Sequence, residues 1–272
     1  MYATNQSRLT SEQIEQYREE GYVIPEFKVF SDEKFQALVD HFNQKLDALP
    51  KGERPEAMDT PHLEDPKLFE WALAPEVLDI VEPLIGPDIH LFSTHFICKP
   101  KGDGRRVPWH EDSAYWKKTL SPVEVATVWL ALDPSTRENG CMKVIPKTHN
   151  SGHKGYSDYH SVDTAKNVFD TEILPTQRRD ERAQYVELKP NQCSLHDARL
   201  MHGSETNTSN MRRCGWTLRF CPSSSVIHTE RRKFLHMYPA RGRVLTDQPL
   251  GDPSRAYPEI TAARRASRIK DH

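Results

Sequence analysis

A chain of 272 residues with 36% hydrophobic and 9% aromatic content can build a core, and its 20 prolines and 12 glycines are scattered, which implies many turns rather than disorder. The formal charge of −2 supplies no global field to draw a polyanion, so nucleic acid is a poor default partner despite local basic clusters at Arg178-Arg179, Arg212-Arg213, Arg231-Arg232-Lys233 and over 264–270. Five widely spread cysteines without a C-x-x-C pair write neither a disulfide framework nor a zinc knuckle, and the longest apolar run, 125–132, is too short to span a bilayer. With no basic-then-apolar leader at the N-terminus, the expectation is a soluble cytoplasmic protein with no membrane partner, its oligomeric state left open.

Thr10 followed by Gln13 reads as a capping box that opens a helix through Glu20, and Gly21 stands where that helix would stop. A second helix is clearer: after Ser31 as N-cap, Phe35, Leu38, Val39, Phe42 and Leu46 recur at three- and four-residue steps, and Pro50 marks the end. Shorter helical stretches follow at 68–73 and 75–85, closed by Gly86-Pro87. Beyond them the pattern changes to short runs rich in β-branched and aromatic residues at 90–99, 123–132, 142–145, 185–188, 193–195 and 214–220, broken by Pro, Gly and Asn. Strands in series without crossover helices predict an antiparallel sandwich or barrel with helices packed on one side. A single domain is expected over 1–272, with a mainly helical part at 1–88, a β core at 89–222 and a C-terminal extension at 223–272. The polar, poorly periodic stretch 147–182 reads as a lid-like insertion within that core.

Trp109-His110-Glu111-Asp112 is the sharpest local feature, because on a strand residues two apart project from one face and could meet a single metal. His202, in Leu200-Met201-His202-Gly203-Ser204, is the best placed third ligand, near the start of a late strand. Two histidines and one carboxylate leave adjacent octahedral positions open, which suits non-haem iron(II) oxygen chemistry. Downstream, Arg212 and Arg213 open the strand 214–220, so a guanidinium could enter the same cavity and bind a carboxylate bidentately. Strand alternation also puts Arg219 on the face of Arg213, which leaves the choice of arginine open at this point.

These blocks, in order, resemble the phytanoyl-CoA dioxygenase family of iron(II) and 2-oxoglutarate oxygenases. The resemblance runs from Tyr17-Arg18-Glu19-Glu20-Gly21-Tyr22-Val23 to Phe220, through His95-Phe96-Ile97-Cys98-Lys99-Pro100, Val107-Pro108-Trp109-His110-Glu111-Asp112, Val128-Trp129-Leu130-Ala131-Leu132-Asp133, Glu138-Asn139-Gly140, Val144-Ile145-Pro146-Lys147-Thr148-His149 and His202-Gly203-Ser204, with Arg213 eleven residues on. It implies a double-stranded β-helix (jelly roll) fold. It also implies iron(II) held by His110, Asp112 and His202, and 2-oxoglutarate anchored by Arg213, with Lys99, Trp129, Ser204 and His95 at positions that touch the cosubstrate. The implied reaction consumes O2 and 2-oxoglutarate, releases succinate and carbon dioxide, and hydroxylates an aliphatic C–H bond of a small molecule. Two departures stand out: Lys147 where a Gly is usual, and Glu111 in place of the commoner Gln.

For the substrate pocket the candidates are His62, Tyr115, Trp116 and Arg241, with Tyr238 and Arg243 behind them; the cationic Lys117, Lys118, Arg241 and Arg243 hint at an anionic substrate. Asp112 fills the coordination place that a halogenase leaves to a halide, so halogenation is disfavoured. A catalytically silent jelly-roll binding protein, or another oxidative outcome such as desaturation, is the alternative to hydroxylation.

Overall fold

The computed structural model describes residues 8–150 and 157–270. Its helices are α1 (Ser11–Glu20), α2 (Asp32–Asp47), α3 (Phe69–Ala72), α4 (Pro75–Ile85), α5 (Asp112–Trp116) and α6 (Pro258–Lys270). Its strands are β1 (Tyr22–Val23), β2 (Met58–Asp59), β3 (Ile89–Lys99), β4 (Val107–His110), β5 (Leu120–Ser121), β6 (Ala126–Ala131), β7 (Met142–Val144), β8 (Tyr159–Ser161), β9 (Thr171–Ile173), β10 (Gln184–Val186), β11 (Cys193–Asp197), β12 (His202–Ser204), β13 (Arg213–Pro222), β14 (Val226–Ile227) and β15 (Tyr238–Arg241).

The local signals act as their chemistry requires. Thr10 Oγ1 accepts from the Gln13 amide at 3.2 Å while Gln13 Oε1 accepts from the Thr10 amide at 3.0 Å, which satisfies two donors at the start of α1. Gly21 ends that helix at φ 83°. Ser31 caps α2, whose Leu38 and Phe42 are fully buried.

A seven-stranded antiparallel sheet has the order β1-β11-β6-β13-β3-β15, with β2 also pairing β3, and a four-stranded sheet has the order β10-β7-β12-β4. Together they form the double-stranded β-helix. Helices α1, α2 and α4 pack on the outer face of the larger sheet, where Phe42, Phe96 and Trp216 form a continuous aromatic stack with centroid separations of 4.9 and 5.2 Å. Burying that face is the main source of stability here, at about 25 cal/mol per Å² of apolar surface. The inner face of the same sheet turns toward the smaller sheet. Along β13 the alternation is complete: Cys214, Trp216, Leu218 and Phe220 join the helix-side core, while Arg213, Thr217 and Arg219 line the inner cavity.

Short strands and two helices, α5 and α6, are not among the elements the sequence predicts. Strands of two to four residues such as β1, β2, β5, β14 and β15 carry too few residues for a periodic signal, and α6 falls in the stretch read only as a basic cluster. Of the expected lid-like insertion, 157–182 forms the β8–β9 hairpin and two 3-10 turns; 151–156 lies outside the described residues.

Candidate metal and anion site

The smaller sheet brings two imidazoles together by register. His202 on β12 is paired directly with His110, the last residue of β4, and their ring centroids lie 4.1 Å apart. Each ring is fixed the same way: His110 Nδ1 donates to Pro108 O at 2.8 Å, and His202 Nδ1 donates to Leu200 O at 2.9 Å. A carbonyl can only accept, so both rings carry a proton on Nδ1 and turn Nε2 inward, as outer hydrogen bonds orient metal-binding histidines.

Asp112 arrives differently from the expected strand placement. β4 ends at His110, Glu111 is extended at φ −114° and ψ 123°, and Asp112 is the first residue of α5. The turn still delivers its carboxylate, with Oδ1 3.6 Å from His110 Nε2. One ligand atom from each of His110, Asp112 and His202 lies within 4.8 Å of the others, and all three residues are buried. Burial works to raise the Asp112 pKa, but Arg219 and the two imidazoles outweigh it and hold the carboxyl well below its ordinary range. Burial and the neighbouring His110 push the His202 pKa well below the usual value, so that ring is neutral. A carboxylate and two imidazoles that turn Nε2 toward it are the donor set that a divalent iron would take, so the residues fit that metal.

Flanking blocks position these groups. Thr148 Oγ1 donates to Ile145 O at 2.8 Å and accepts from the Met201 amide at 2.9 Å, which sets the residue before His202. Glu172 accepts from the Trp109 amide at 3.1 Å and pairs with Arg106 and Arg178, tying the β8–β9 hairpin to β4. Glu111 points away from the metal ligands into that hairpin segment, where Ser157 Oγ donates to it at 2.9 Å. Lys147 adopts φ 70°, which is the physical reason a Gly suits that position.

Across the cavity, Arg213 is 1% exposed. Its Nη2 donates to Gly140 O at 2.8 Å and stands 3.5 Å from Ser204 Oγ, while its guanidinium lies 5.4 Å from the Trp129 ring centroid. The Gly140 carbonyl is presented by the Glu138-Asn139-Gly140 turn, in which buried Asn139 accepts from the Thr136 amide and donates to Pro134 O, both at 2.8 Å. Gly215 is required beside Trp129, because a Cβ there would come within 2.1 Å of the indole. Lys99 is the strand partner of Arg213 and is equally buried, its Nζ bonded to Glu205 O. Burial, then the neighbouring Arg213, pushes the Lys99 pKa well below its usual value, and burial brings Arg213 down to about 10. Two buried cations side by side, hydrogen-bonded only to neutral groups among the described residues, form a site for an anion. Arg212 is excluded from it by a bidentate pair with Asp133 at 2.7 and 2.8 Å.

One cavity thus gathers His110, Asp112, His202, Arg213, Ser204, Trp129 and His95, and Lys99 stands behind Arg213. The pocket candidates divide. Tyr115 flanks the site, its ring 6.0 Å from His110, and Trp116 packs against Phe92 and lies under the Arg219 guanidinium. His62 lies outside the cavity, buried between Phe69 and Tyr238 with Nδ1 on Thr94 Oγ1, because a core wall needed a small polar ring for that threonine. Arg241 is also outside it, bonded to Asp79 and Glu82 on α4, and Arg243 pairs with Asp88. The sequence reading missed His196, Thr217, Phe169 and Glu56 as cavity residues. Alternation along β11 from the core residues Cys193 and Leu195 puts Ser194 and His196 on the inner face, a signal that was available.

The family model for phytanoyl-CoA dioxygenase matches residues 6–215. The chain belongs to the phytanoyl-CoA dioxygenase family. The bovine peroxisomal phytanoyl-CoA dioxygenase is 32% identical over 149 residues, covering 54% of this chain and 43% of that protein. A probable alpha-ketoglutarate-dependent hypophosphite dioxygenase of Stutzerimonas stutzeri is 26% identical over 163 residues, or 57% of this chain and 53% of that one. The matches thus span about half the length of these family relatives. Among solved structures, the apo non-heme monooxygenase ThoJ superposes with a TM-score of 0.72 at 21% identity, covering 95% of this chain and 98% of that one. Apo EctD from S. alaskensis gives 0.68 at 20% identity over 91% and 90%. These likenesses carry the fold, which agrees with the jelly roll expected from the strand series.

Proposed function

We propose that this chain is an iron(II)- and 2-oxoglutarate-dependent dioxygenase that hydroxylates an aliphatic C–H bond of a small molecule. The observation that carries the reading is the pairing, within one cavity, of a His110–Asp112–His202 donor set with a buried Arg213 that has no carboxylate partner among the described residues. When bound, iron(II) would activate O2, one of whose oxygen atoms goes to 2-oxoglutarate in its oxidative decarboxylation to succinate and carbon dioxide and the other to the substrate C–H bond. The chain's own residues do the placing. His110 and His202 offer Nε2 atoms whose direction is locked by carbonyls, and Asp112 offers a carboxylate kept ionised by Arg219. Arg213 would clamp the distal carboxylate with Ser204 beside it and Lys99 adding positive potential behind it; Trp129 and His95 would wall the cosubstrate. Val168 and Phe169, from the segment read as a lid, would screen the metal from water, with the Phe169 ring 4.9 Å from His110.

Residues 1–272 are read as one oxygenase domain, in a reducing cytoplasm that suits five unbridged cysteines; among the described residues no helix is long and apolar enough to cross a membrane. The test is a metabolite screen that follows iron-dependent, substrate-stimulated succinate formation. Product analysis on the hit then separates hydroxylation from desaturation. A protein that binds no iron and forms no succinate with any metabolite would instead be a silent jelly-roll binding protein.

A further inference from the structure

The inner face of β13 carries a second arginine that the reading above does not use for any ligand. Arg219 is 9% exposed and lines the cavity at the opposite end of the strand face from Arg213, six residues along or about 20 Å between Cα atoms at about 3.4 Å per residue. Its guanidinium carbon lies over the Trp116 ring, 5.3 Å from the centroid, which helps to hold it in place. Its Nε is 3.6 Å from Asp112 Oδ2, an ion-pair separation too long for a hydrogen bond, and that buried Nε has no hydrogen-bond partner. A buried, oriented guanidinium with unspent donors faces the cavity beside the metal ligands, on the side away from the cosubstrate clamp.

Charge balance says what it awaits. On the proposed function, the two positive charges of iron(II) and the one on Arg213 are matched by Asp112 and the two carboxylates of 2-oxoglutarate, and Lys99 behind Arg213 adds to the positive side. The other carboxylate lining the cavity, Glu56, is engaged by Arg54 and Arg105, and Arg54 also pairs with Asp103, so that outer cluster is neutral. Arg219 shares its one nearby carboxylate, Asp112, with the metal, so its charge is only partly compensated in a low-dielectric site where that is costly.

We infer that Arg219 receives an anionic headgroup of the substrate, a carboxylate or a phosphonate, and so selects an acid over its neutral analogue and places its carbon chain over the metal. This inference rests on the proposed function and narrows its substrate class.

The test uses the full chain loaded with zinc(II), which cannot turn over, and saturating 2-oxoglutarate. Calorimetry then compares butyrate with butyramide, hexanoate with hexanamide, and propylphosphonate with its dimethyl ester. The unmodified protein should prefer at least one acid over its neutral partner by about tenfold or more, Arg219→Gln should lose that preference, and Arg219→Lys should keep part of it. The carboxylate and phosphonate arms identify the headgroup. Zinc content is measured in the same samples, and 2-oxoglutarate affinity, compared at full zinc occupancy, should be unchanged in both variants, which also shows that they are folded. The inference is overturned if no acid is preferred, if the preference survives Arg219→Gln, or if that variant loses 2-oxoglutarate affinity instead, since Arg219 would then serve the cosubstrate. A chain that binds no 2-oxoglutarate in its unmodified form would sink the proposed function itself, and this inference with it.

Discussion

The four-stranded sheet fixes its functional groups by short-range bonds, each of His110 and His202 tied to a carbonyl two residues earlier at 2.8 and 2.9 Å, whereas the seven-stranded sheet fixes Arg213 by burial between Trp129, Gly140 and Ser204. A metal needs ligand atoms aimed to within a fraction of an ångström, and bonding to the ligand's own strand aims them cheaply in short strands such as β4 and β12. A carboxylate anchor needs low dielectric and a fixed fork, which only the interior of a long central strand such as β13 provides. The division implies that the two functions can be damaged separately, and that the two faces of β13 can be as well.

The largest separation should come from His202→Ala. Removing a ligand should lower metal affinity by more than the roughly 10- to 100-fold that loss of an outer partner costs, while urea unfolding of the metal-free protein changes little. Metal titration with a competing chelator checks it; full affinity in the variant would break the division at its root. Next, Trp216→Ala on the helix side of β13 should cost about 3–5 kcal/mol of stability, because the ring stacks on Phe96 in the core, yet leave metal affinity of the folded protein intact. Urea denaturation followed by metal titration well below the transition separates the two effects. Gly215→Ala, on the inner face, should cost about 1–3 kcal/mol by driving a methyl into Trp129, and should weaken 2-oxoglutarate binding without touching metal affinity. The smallest effect is Lys147→Gly. Relief of a left-handed backbone should stabilise by roughly 1 kcal/mol, reduced by loss of the half-exposed Lys147–Glu20 pair, and a thermal melt should show a small rise.

Where the sequence could be read, the reason is local chemistry. The Thr10/Gln13 box and the Ser31 cap with its apolar stripe state α1 and α2 outright, and β3 and β13 are long enough for alternation to show. The grouping of His110, Asp112 and His202 was legible because His110 and Asp112 are near neighbours in sequence, although the carboxylate reaches the cluster from a helix start rather than a strand. His62 and Arg241 misled because nothing local distinguishes a core histidine or an ion-paired arginine from a pocket one; their partners Thr94, Asp79 and Glu82 lie 32, 162 and 159 residues away in sequence. Strand alternation alone did not separate Arg212, Arg213 and Arg219; the resemblance pointed to Arg213, and the fold sets Asp133 and Asp112 beside the other two.

The separation of a metal-holding sheet from an anion-holding sheet is tested most directly by anaerobic titration of the iron(II)-loaded protein with 2-oxoglutarate, following the absorption band of the chelate. Arg213→Ala should bind iron as tightly as the unmodified protein and lose about tenfold to a hundredfold in 2-oxoglutarate affinity, the cost of one or two charge-assisted bonds at about 1.5–3 kcal/mol. Arg212→Ala, which breaks only the pair with Asp133, should titrate normally. Unchanged 2-oxoglutarate affinity in Arg213→Ala, or loss of iron from it, would show that the two sheets do not divide the work in this way.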